Sequence, residues 1–285
     1  DAEVGTATVE PGIALDQLNR FLNPHGYMFT VDVSTSSRAT IGGMTGNNSC
    51  GARSIRYGTM RDNVRAIDAI MTDGSEFRFG ELPNDLGDNS LPSGYRDLAQ
   101  TLLTLGEREA EEIFKRFPRL MRRVGGYNID ALVPGGSKHP GGGCPNLAHL
   151  LVGSEGTLAF STRVHLGLHR VPKHKVLGIC HFPTFYSAME STQHIVKLSP
   201  AAVELVDRNM MDLARDIPMF RPTIEKFVQG EPDSLLLVEF AGDELERQLA
   251  KLKELGALMS DLGYPNAVVE ATTGADQSEF WNVRK

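Results

Sequence analysis

The sequence predicts an α+β protein built as two successive domains, and three observations carry that prediction. Residues 6–10 alternate like a strand and 64–71 reads as another, while stretches between such runs repeat apolar residues at helical spacing. Residues 34–58 concentrate glycine and small polar residues at a density that no ordinary helix or strand needs. Beyond Val171-Pro172 the pattern changes to two strand–helix–strand units in succession, which sets a boundary between residues 1–171 and 172–285. A chain of 285 residues is long enough for two cores of ordinary size.

Taken in order, strand 6–10 ends at Pro11-Gly12, and Leu15, Leu18, Phe21 and Leu22 then recur as a helix that Pro24 and Gly26 stop. Strands 64–71 and 76–79 flank Asp73-Gly74, a dipeptide that favours a tight hairpin. Residues 82–94 read as an exposed polar connection. Leu98, Leu102, Leu105, Ile113 and Phe117 define an amphipathic helix, or a broken pair, over 95–117 with Gly106 as its weak point. Gly141-Gly142-Gly143 lies in a loop, where a phosphate cradle lacks the flanking pattern of either phosphate-binding glycine motif. Residues 163–171 read as one strand.

In the second domain, strand 176–182 leads to a helix at 184–197 capped by Thr184, then to strand 202–206. Strand 235–240, a helix from Asp243 with Glu246 at capping-box spacing and Gly263 as its stop, and strand 267–270 repeat the unit. Two such units predict a ferredoxin-like antiparallel sheet with helices on one face. Asp276 and Glu279 open a third helix that runs to Trp281 and Arg284.

The chemistry concentrates in two blocks. In the first, Gly42, Gly43, Gly46 and Gly51 permit positive φ and remove the Cβ that would hold a ligand away, while Ser34, Thr40, Asn48 and Ser49 supply short donors and acceptors. That composition suits a large polar cofactor with a phosphate and a flat ring; a polar surface loop is the other reading. In the second, glycines on both sides of Ser154-Glu155 let the backbone turn sharply along an adenosine or pyrophosphate, with Glu155 accepting from ribose hydroxyls or an adenine amine; a solvated turn glutamate is the alternative.

Composition narrows the partners. A net charge of −7, with no run of Lys or Arg, argues against nucleic acid. No stretch approaches the roughly 18 consecutive apolar residues of a membrane span. Cys50, Cys144 and Cys180 are odd in number and widely spaced, as expected of reduced thiols in a cytoplasmic protein. His165 and His169 would share one side of strand 163–171, but no third ligand stands at a metal-binding spacing, so a solvated strand face is expected. A pyridine-nucleotide enzyme is a weak reading, because the glycine fingerprint of that fold is absent.

Thr40-Ile41-Gly42-Gly43, Asn48-Ser49-Cys50-Gly51, Arg56-Tyr57-Gly58 and, much later, residues 152–158 (Val-Gly-Ser-Glu-Gly-Thr-Leu) resemble the FAD-binding domain of the vanillyl-alcohol oxidase and p-cresol methylhydroxylase (PCMH) superfamily. The likeness is strongest to FAD-linked D-2-hydroxyacid dehydrogenases acting on D-lactate, glycolate or D-2-hydroxyglutarate. The resemblance implies a PCMH-type FAD-binding domain followed by a substrate-holding cap domain, and noncovalent FAD bound by Ser34, Thr40, Gly42, Gly43, Gly46, Asn48, Ser49, Gly51, Tyr57, Gly58, Glu155, Gly156 and Thr157. It places a substrate-carboxylate arginine at Arg284. The family's first phosphate-binding turn, upstream of the segment matching residues 6–12, has no counterpart here, which implies an internal piece of a longer enzyme. The family's catalytic base, divalent metal and any iron-sulfur cluster would then lie outside this chain; His181 and His194 are the nearest histidines by position, and neither is assigned a catalytic role. A noncatalytic binding or scaffolding fragment is the competing reading. The particular 2-hydroxyacid, the electron acceptor and the oligomeric state are not encoded in these residues.

Overall fold

The structure, a computed structural model, describes residues 1–83, 85–86, 91–133 and 145–283. Its contacts divide the chain into two compact units, 1–170 and 171–285. Cys144, the Gly141-Gly142-Gly143 run and Arg284 lie outside the described residues.

The first unit is organised around an antiparallel sheet of order β1-β5-β3-β4: β1 (Thr6–Val9), β3 (Val64–Ile70), β4 (Glu76–Phe79) and β5 (Phe160–Gly167). Asp73-Gly74 closes the β3–β4 hairpin, with Gly74 at φ +85° and Asp73 Oδ1 accepting from Ser75 N at 2.9 Å. A small second sheet pairs β2 (Tyr27–Met28) with β6 (His169–Arg170). The single strand expected at 163–171 is therefore two strands in different sheets. His165 reaches Thr8 and Asp68, whereas His169 bonds Asn63, so the two histidines do not pair.

Helix α1 (Leu15–Leu22) buries Leu15, Leu18 and Leu22 and leaves Phe21 exposed. The glycine-rich stretch contains α2 (Ile41–Gly46) and α3 (Ser54–Tyr57), and α4 (Met60–Asn63) follows it. Residues 82–94 are not one exposed connection: Leu82 is buried and bonded to Pro145 O, and Ser93-Gly94 already belong to α5 (Ser93–Arg108). The expected weak point at Gly106 is intact helix, because its bare Cα packs on Leu132, whose carbonyl oxygen would stand 2.5 Å from any Cβ there. The break falls at Glu109, before α6 (Ala110–Arg116); α7 (Ala148–Leu151) precedes the second block.

In the second unit the sheet order is β10-β7-β9-β8, with every pair antiparallel: β7 (His174–Phe182), β8 (Ala202–Asp207), β9 (Ser234–Gly242) and β10 (Val268–Ala271). Helix α8 (Phe185–Ile195) is capped by Thr184, which accepts from Ser187 N at 3.1 Å. Helix α11 (Leu245–Asp261) is preceded by Glu244, so the expected capping box at Asp243 and Glu246 does not form. The helices were expected on one face, and they cover both. One core joins Val176, Cys180 and Val238 to Leu252, Leu255 and Met259 of α11; the other joins Leu177, Ile179 and Leu237 to Met211 of α9 (Arg208–Asp216), Phe227 of α10 (Arg221–Phe227) and Phe280 of α12 (Gly274–Val283). Strands β7 and β9 accordingly run as almost unbroken apolar sequences, the signature of strands buried on both sides.

His181 on β7 is almost fully buried. Its Nδ1 lies 3.0 Å from Ile179 O and 3.1 Å from Ala267 O, and its Nε2 accepts from Gln229 N at 3.0 Å. Nδ1 therefore carries the proton, and burial pushes the pKa of the imidazole below its ordinary value. The folded chain takes up this proton less readily than the unfolded one, so the stabilisation is complete above pH about 6.5 and is lost as pH falls toward the lower folded pKa. His169 is shifted in the same direction, by burial and then by Arg65 and Arg56. Urea titrations at about pH 7.5 and about pH 5.5 should show a stability loss in acid that is smaller in His181→Gln than in the unmutated chain. An equal loss in both would remove His181 from the acid response.

Candidate functional site

Two backbone hydrogen bonds join the blocks that the sequence separates by about a hundred residues. Gly153 N donates to Thr45 O at 2.9 Å, and Glu155 N donates to Gly46 O at 2.9 Å. The turn carrying Glu155, Gly156 and Thr157 is thereby fixed against the C-terminal end of α2. Gly153, Glu155 and Gly156 have φ of +83°, +53° and +72°. A left-handed backbone is ordinary for glycine and costs a glutamate about 1 kcal/mol. The Glu155 carboxylate has no hydrogen-bond partner among the described residues, and the side chain is exposed. The Gly156 N–H likewise meets no acceptor there, and a Cβ at Gly156 would touch nothing within 4 Å.

In the first block residues 41–46 and 54–57 are helical, and none of Gly42, Gly43, Gly46 and Gly51 has a positive φ, contrary to the sequence expectation. Two of these glycines are required by the chain itself. A Cβ at Gly51 would stand 1.5 Å from Asp32 O, and one at Gly42 would stand 2.5 Å from Pro11 Cβ. Gly58 does have a positive φ, but its missing Cβ makes room for Asp62, which caps Thr59 N at 2.7 Å. Asn48 is left-handed and 0% exposed; its Oδ1 accepts from Arg61 N at 3.0 Å and its Nδ2 donates to Arg123 O at 3.3 Å. Its side chain therefore holds the loop together. Ser49 is almost closed off and accepts from Asn47 Nδ2. The ring of Tyr57 meets His169 edge-on at 4.8 Å.

The remaining positions form an open shelf. Gly43 is exposed and Gly46 partly so; the nearest atom to a Cβ at Gly43 is Thr40 Oγ1 at 3.2 Å, and at Gly46 it is Glu155 Cα at 3.7 Å. Thr40 caps α2 by accepting from Gly43 N at 3.2 Å, while Ile41 N and Gly42 N donate to Ile13 O and Pro11 O. The first N–H groups of α2 are thus already spent. Ser34 is exposed.

Beneath the turn lies a charged network that the sequence did not signal. Asn128, 1% exposed, donates from Nδ2 to Val152 O at 2.7 Å and to His149 O at 3.2 Å. Its Oδ1 accepts from Arg61 and Arg123, and both guanidiniums also pair with Asp130. Two cations facing one carboxylate leave the ground under the turn electropositive. A bare-backbone shelf, a free backbone donor, a free carboxylate and this field fit a flat, phosphate-bearing cofactor. Neither His181, with both ring nitrogens committed to backbone, nor His194, half-buried on α8, belongs to this arrangement. Among the described residues no group of three or more His, Cys, Asp and Glu is placed to hold a metal, and no helix is long and apolar enough to cross a membrane.

Residues 1–80 match the FAD binding domain, and residues 171–285 match the C-terminal domain of FAD linked oxidases. The chain belongs to the FAD-linked oxidase family, whose cofactor is FAD. It is 32% identical to the D-2-hydroxyglutarate dehydrogenase of Escherichia coli (strain K12), over 85% of this chain and 24% of that protein. It is 31% identical to the enzyme of the same name from Pantoea ananatis, over 86% of this chain and 24% of that protein. The D-lactate dehydrogenase of Archaeoglobus fulgidus is 26% identical over 100% of this chain and 49% of its own length. The chain thus spans about a quarter of the length of the first two relatives. Among solved structures, an alkyldihydroxyacetonephosphate synthase superposes with a TM-score of 0.64 at 17% identity, covering 98% of this chain and 42% of that one, a likeness of fold.

The bare and the occupied glycines should separate on mutation. Gly51→Ala is expected to lower stability by about 3 kcal/mol or more, because Asp32 O must move to admit the methyl. Gly46→Ala should fold normally and leave stability within about 0.5 kcal/mol, since a Cβ there meets only ordinary contact distance. Thermal melts followed by far-UV circular dichroism read both; equal stabilities would contradict the packing described.

Proposed function

We propose that this chain binds FAD noncovalently on the α2 shelf and the Glu155 turn, and that it forms part of an enzyme oxidising a D-2-hydroxyacid. The supporting observation is the left-handed Glu155: an exposed glutamate without a described partner keeps a backbone that glycine would adopt at lower cost. Its side chain is then the reason for its presence, as an acceptor for a ribose hydroxyl or the adenine amine. Ser34, Thr40, Gly43, Gly46, Ser49, Tyr57, Gly156 and Thr157 complete the proposed contacts, with Gly43 and Gly46 letting a flat group lie on backbone and Gly156 N–H donating. When bound, FAD supplies the acceptor for the hydride removed from the substrate carbon.

The names of the relatives support the substrate class: D-2-hydroxyglutarate or D-lactate, with glycolate as the smallest member of the same chemistry. We read the 171–285 unit as a ferredoxin-like cap domain that holds substrate. Its strand order, with the fourth strand beside the first and the third between the first and second, supports that reading. Arg284, outside the described residues, keeps the substrate-carboxylate role implied by the resemblance.

The test is an exchange of stability for binding. Glu155→Gly should raise unfolding stability by about 1 kcal/mol through relief of the left-handed backbone, yet weaken FAD binding about tenfold, whereas Glu155→Gln should change both less. Flavin fluorescence titration and urea unfolding read the two quantities. Unchanged FAD affinity in Glu155→Gly, or a chain that binds no FAD, defeats the proposal. For the substrate, Arg284→Lys in the whole enzyme should raise KM for its D-2-hydroxyacid about tenfold to a thousandfold with flavin content unchanged; an unchanged KM removes Arg284 from the site.

A further inference from the structure

Neither sequence block contains Tyr127, yet its side chain is 45% exposed beside the Glu155 turn. Its hydroxyl is 2.7 Å from Thr157 Oγ1, which gives its own proton to Ser154 O at 2.5 Å, so Tyr127 is the donor. The neighbouring backbone lies against the second block. Gly126 has φ +78°, and its carbonyl oxygen lies 3.4 Å from where a Cβ of Gly153 would stand. On the other side Asn128 is locked to His149 O and Val152 O. The ring is therefore held at its tip and by the anchored Asn128 that follows it, while remaining substantially open to solvent. An aromatic side chain already fixed in this way loses little conformational freedom when a planar group stacks on it.

The polar groups beside it bear on which planar group. Glu155, two residues from Thr157, offers a carboxylate acceptor, and Gly156 offers a backbone donor. Adenine presents an exocyclic amine that donates next to ring nitrogens that accept, which complements that pair. The isoalloxazine edge also carries a donor, N3–H between two carbonyls, so the pair is compatible with either ring. The adenine end follows from the assignment of Glu155 to the ribose or adenine amine, and titrations with ADP and FMN separate the two. Resting on the FAD reading above, we propose that Tyr127 is a cofactor-stacking residue that takes the adenine ring of FAD, its hydroxyl fixing the Glu155 turn through Thr157.

The experiment titrates the 285-residue chain, Tyr127→Ala and Tyr127→Phe with FAD by flavin fluorescence, and with ADP and FMN separately by calorimetry; thermal melts establish that each variant is folded. Tyr127→Ala is expected to weaken FAD and ADP alike by about 5- to 100-fold, the span found for base–aromatic stacking, with FMN unaffected. Tyr127→Phe, which keeps the ring, should stay within about threefold. Wild-type affinity in Tyr127→Ala overturns the inference. An equal loss in both variants assigns the effect to the hydroxyl and overturns stacking, and a loss for FMN without one for ADP overturns the adenine assignment. An unmutated chain that binds neither FAD nor ADP refutes the FAD reading itself, an outcome distinct from a chain that binds FAD with Tyr127 dispensable.

Discussion

The candidate site depends on two backbone hydrogen bonds, Gly153 N to Thr45 O and Glu155 N to Gly46 O. They tie segments about a hundred residues apart, and chain entropy alone opposes such a closure; its cost grows only with the logarithm of the intervening length. The intervening chain is not slack. Strands β3 and β5 pair along the central sheet, so the end of α2 and the turn before β5 are brought near one another by core formation. The hydrogen bonds then select one geometry from an approach that burial of apolar surface has already enforced.

What makes that geometry rigid is polar and buried. Asn48 and Asn128, both essentially without solvent contact, use their side-chain amides as fixed links between backbone segments that share no regular structure. A buried amide left unbonded would cost on the order of 1–3 kcal/mol, so each asparagine specifies its surroundings as much as it stabilises them. Arg61 and Arg123 converge on Asp130 and Asn128 in the same region. The left-handed backbone of Asn48 is easily tolerated, since asparagine enters that region more readily than other side chains. Glu155 has no such excuse, and that contrast between two left-handed residues separates a structural position from a functional candidate.

Much of the architecture was legible in the sequence because its signals are local. Alternation gave β1, the apolar-rich runs flanking Asp73-Gly74 gave β3, β4 and the hairpin between them, and Thr184 gave the start of α8. The misreadings share a cause in tertiary contact. Glycine reads as loop in the sequence, yet Gly42 and Gly106 lie in helices, where Pro11 and Leu132 pack against their bare Cα atoms. Helices α9 and α10 went unread, and with them the covered second face of the β7–β9 sheet. The near-continuous apolar sequence of Leu235 to Val238 carried that information, since a strand with one wet face would alternate. In the site, the two blocks were visible, and residues 125–132 resemble the family's segment before the second block, but the roles of Asn128, Arg61 and Tyr127 were not legible: they depend on bonds that span up to 69 residues, a distance at which no spacing rule operates.

The division of labour among the glycines follows from the same constraint. A region that must bring its backbone close to itself and also leave room for a ligand needs glycine for both purposes, and composition cannot distinguish them. The atom that an added Cβ would meet does so. Gly51 and Gly42 meet their own chain at distances no methyl could occupy, so those positions were fixed by folding. Gly46 and Gly156 meet ordinary contact distance or open space, so folding alone would have allowed alanine at Gly46 and, at Gly156, would have left only the positive φ as a constraint. A helix end left bare without need from its own fold, held against a turn that carries an unpartnered glutamate, is what a surface shaped for a flat ligand requires.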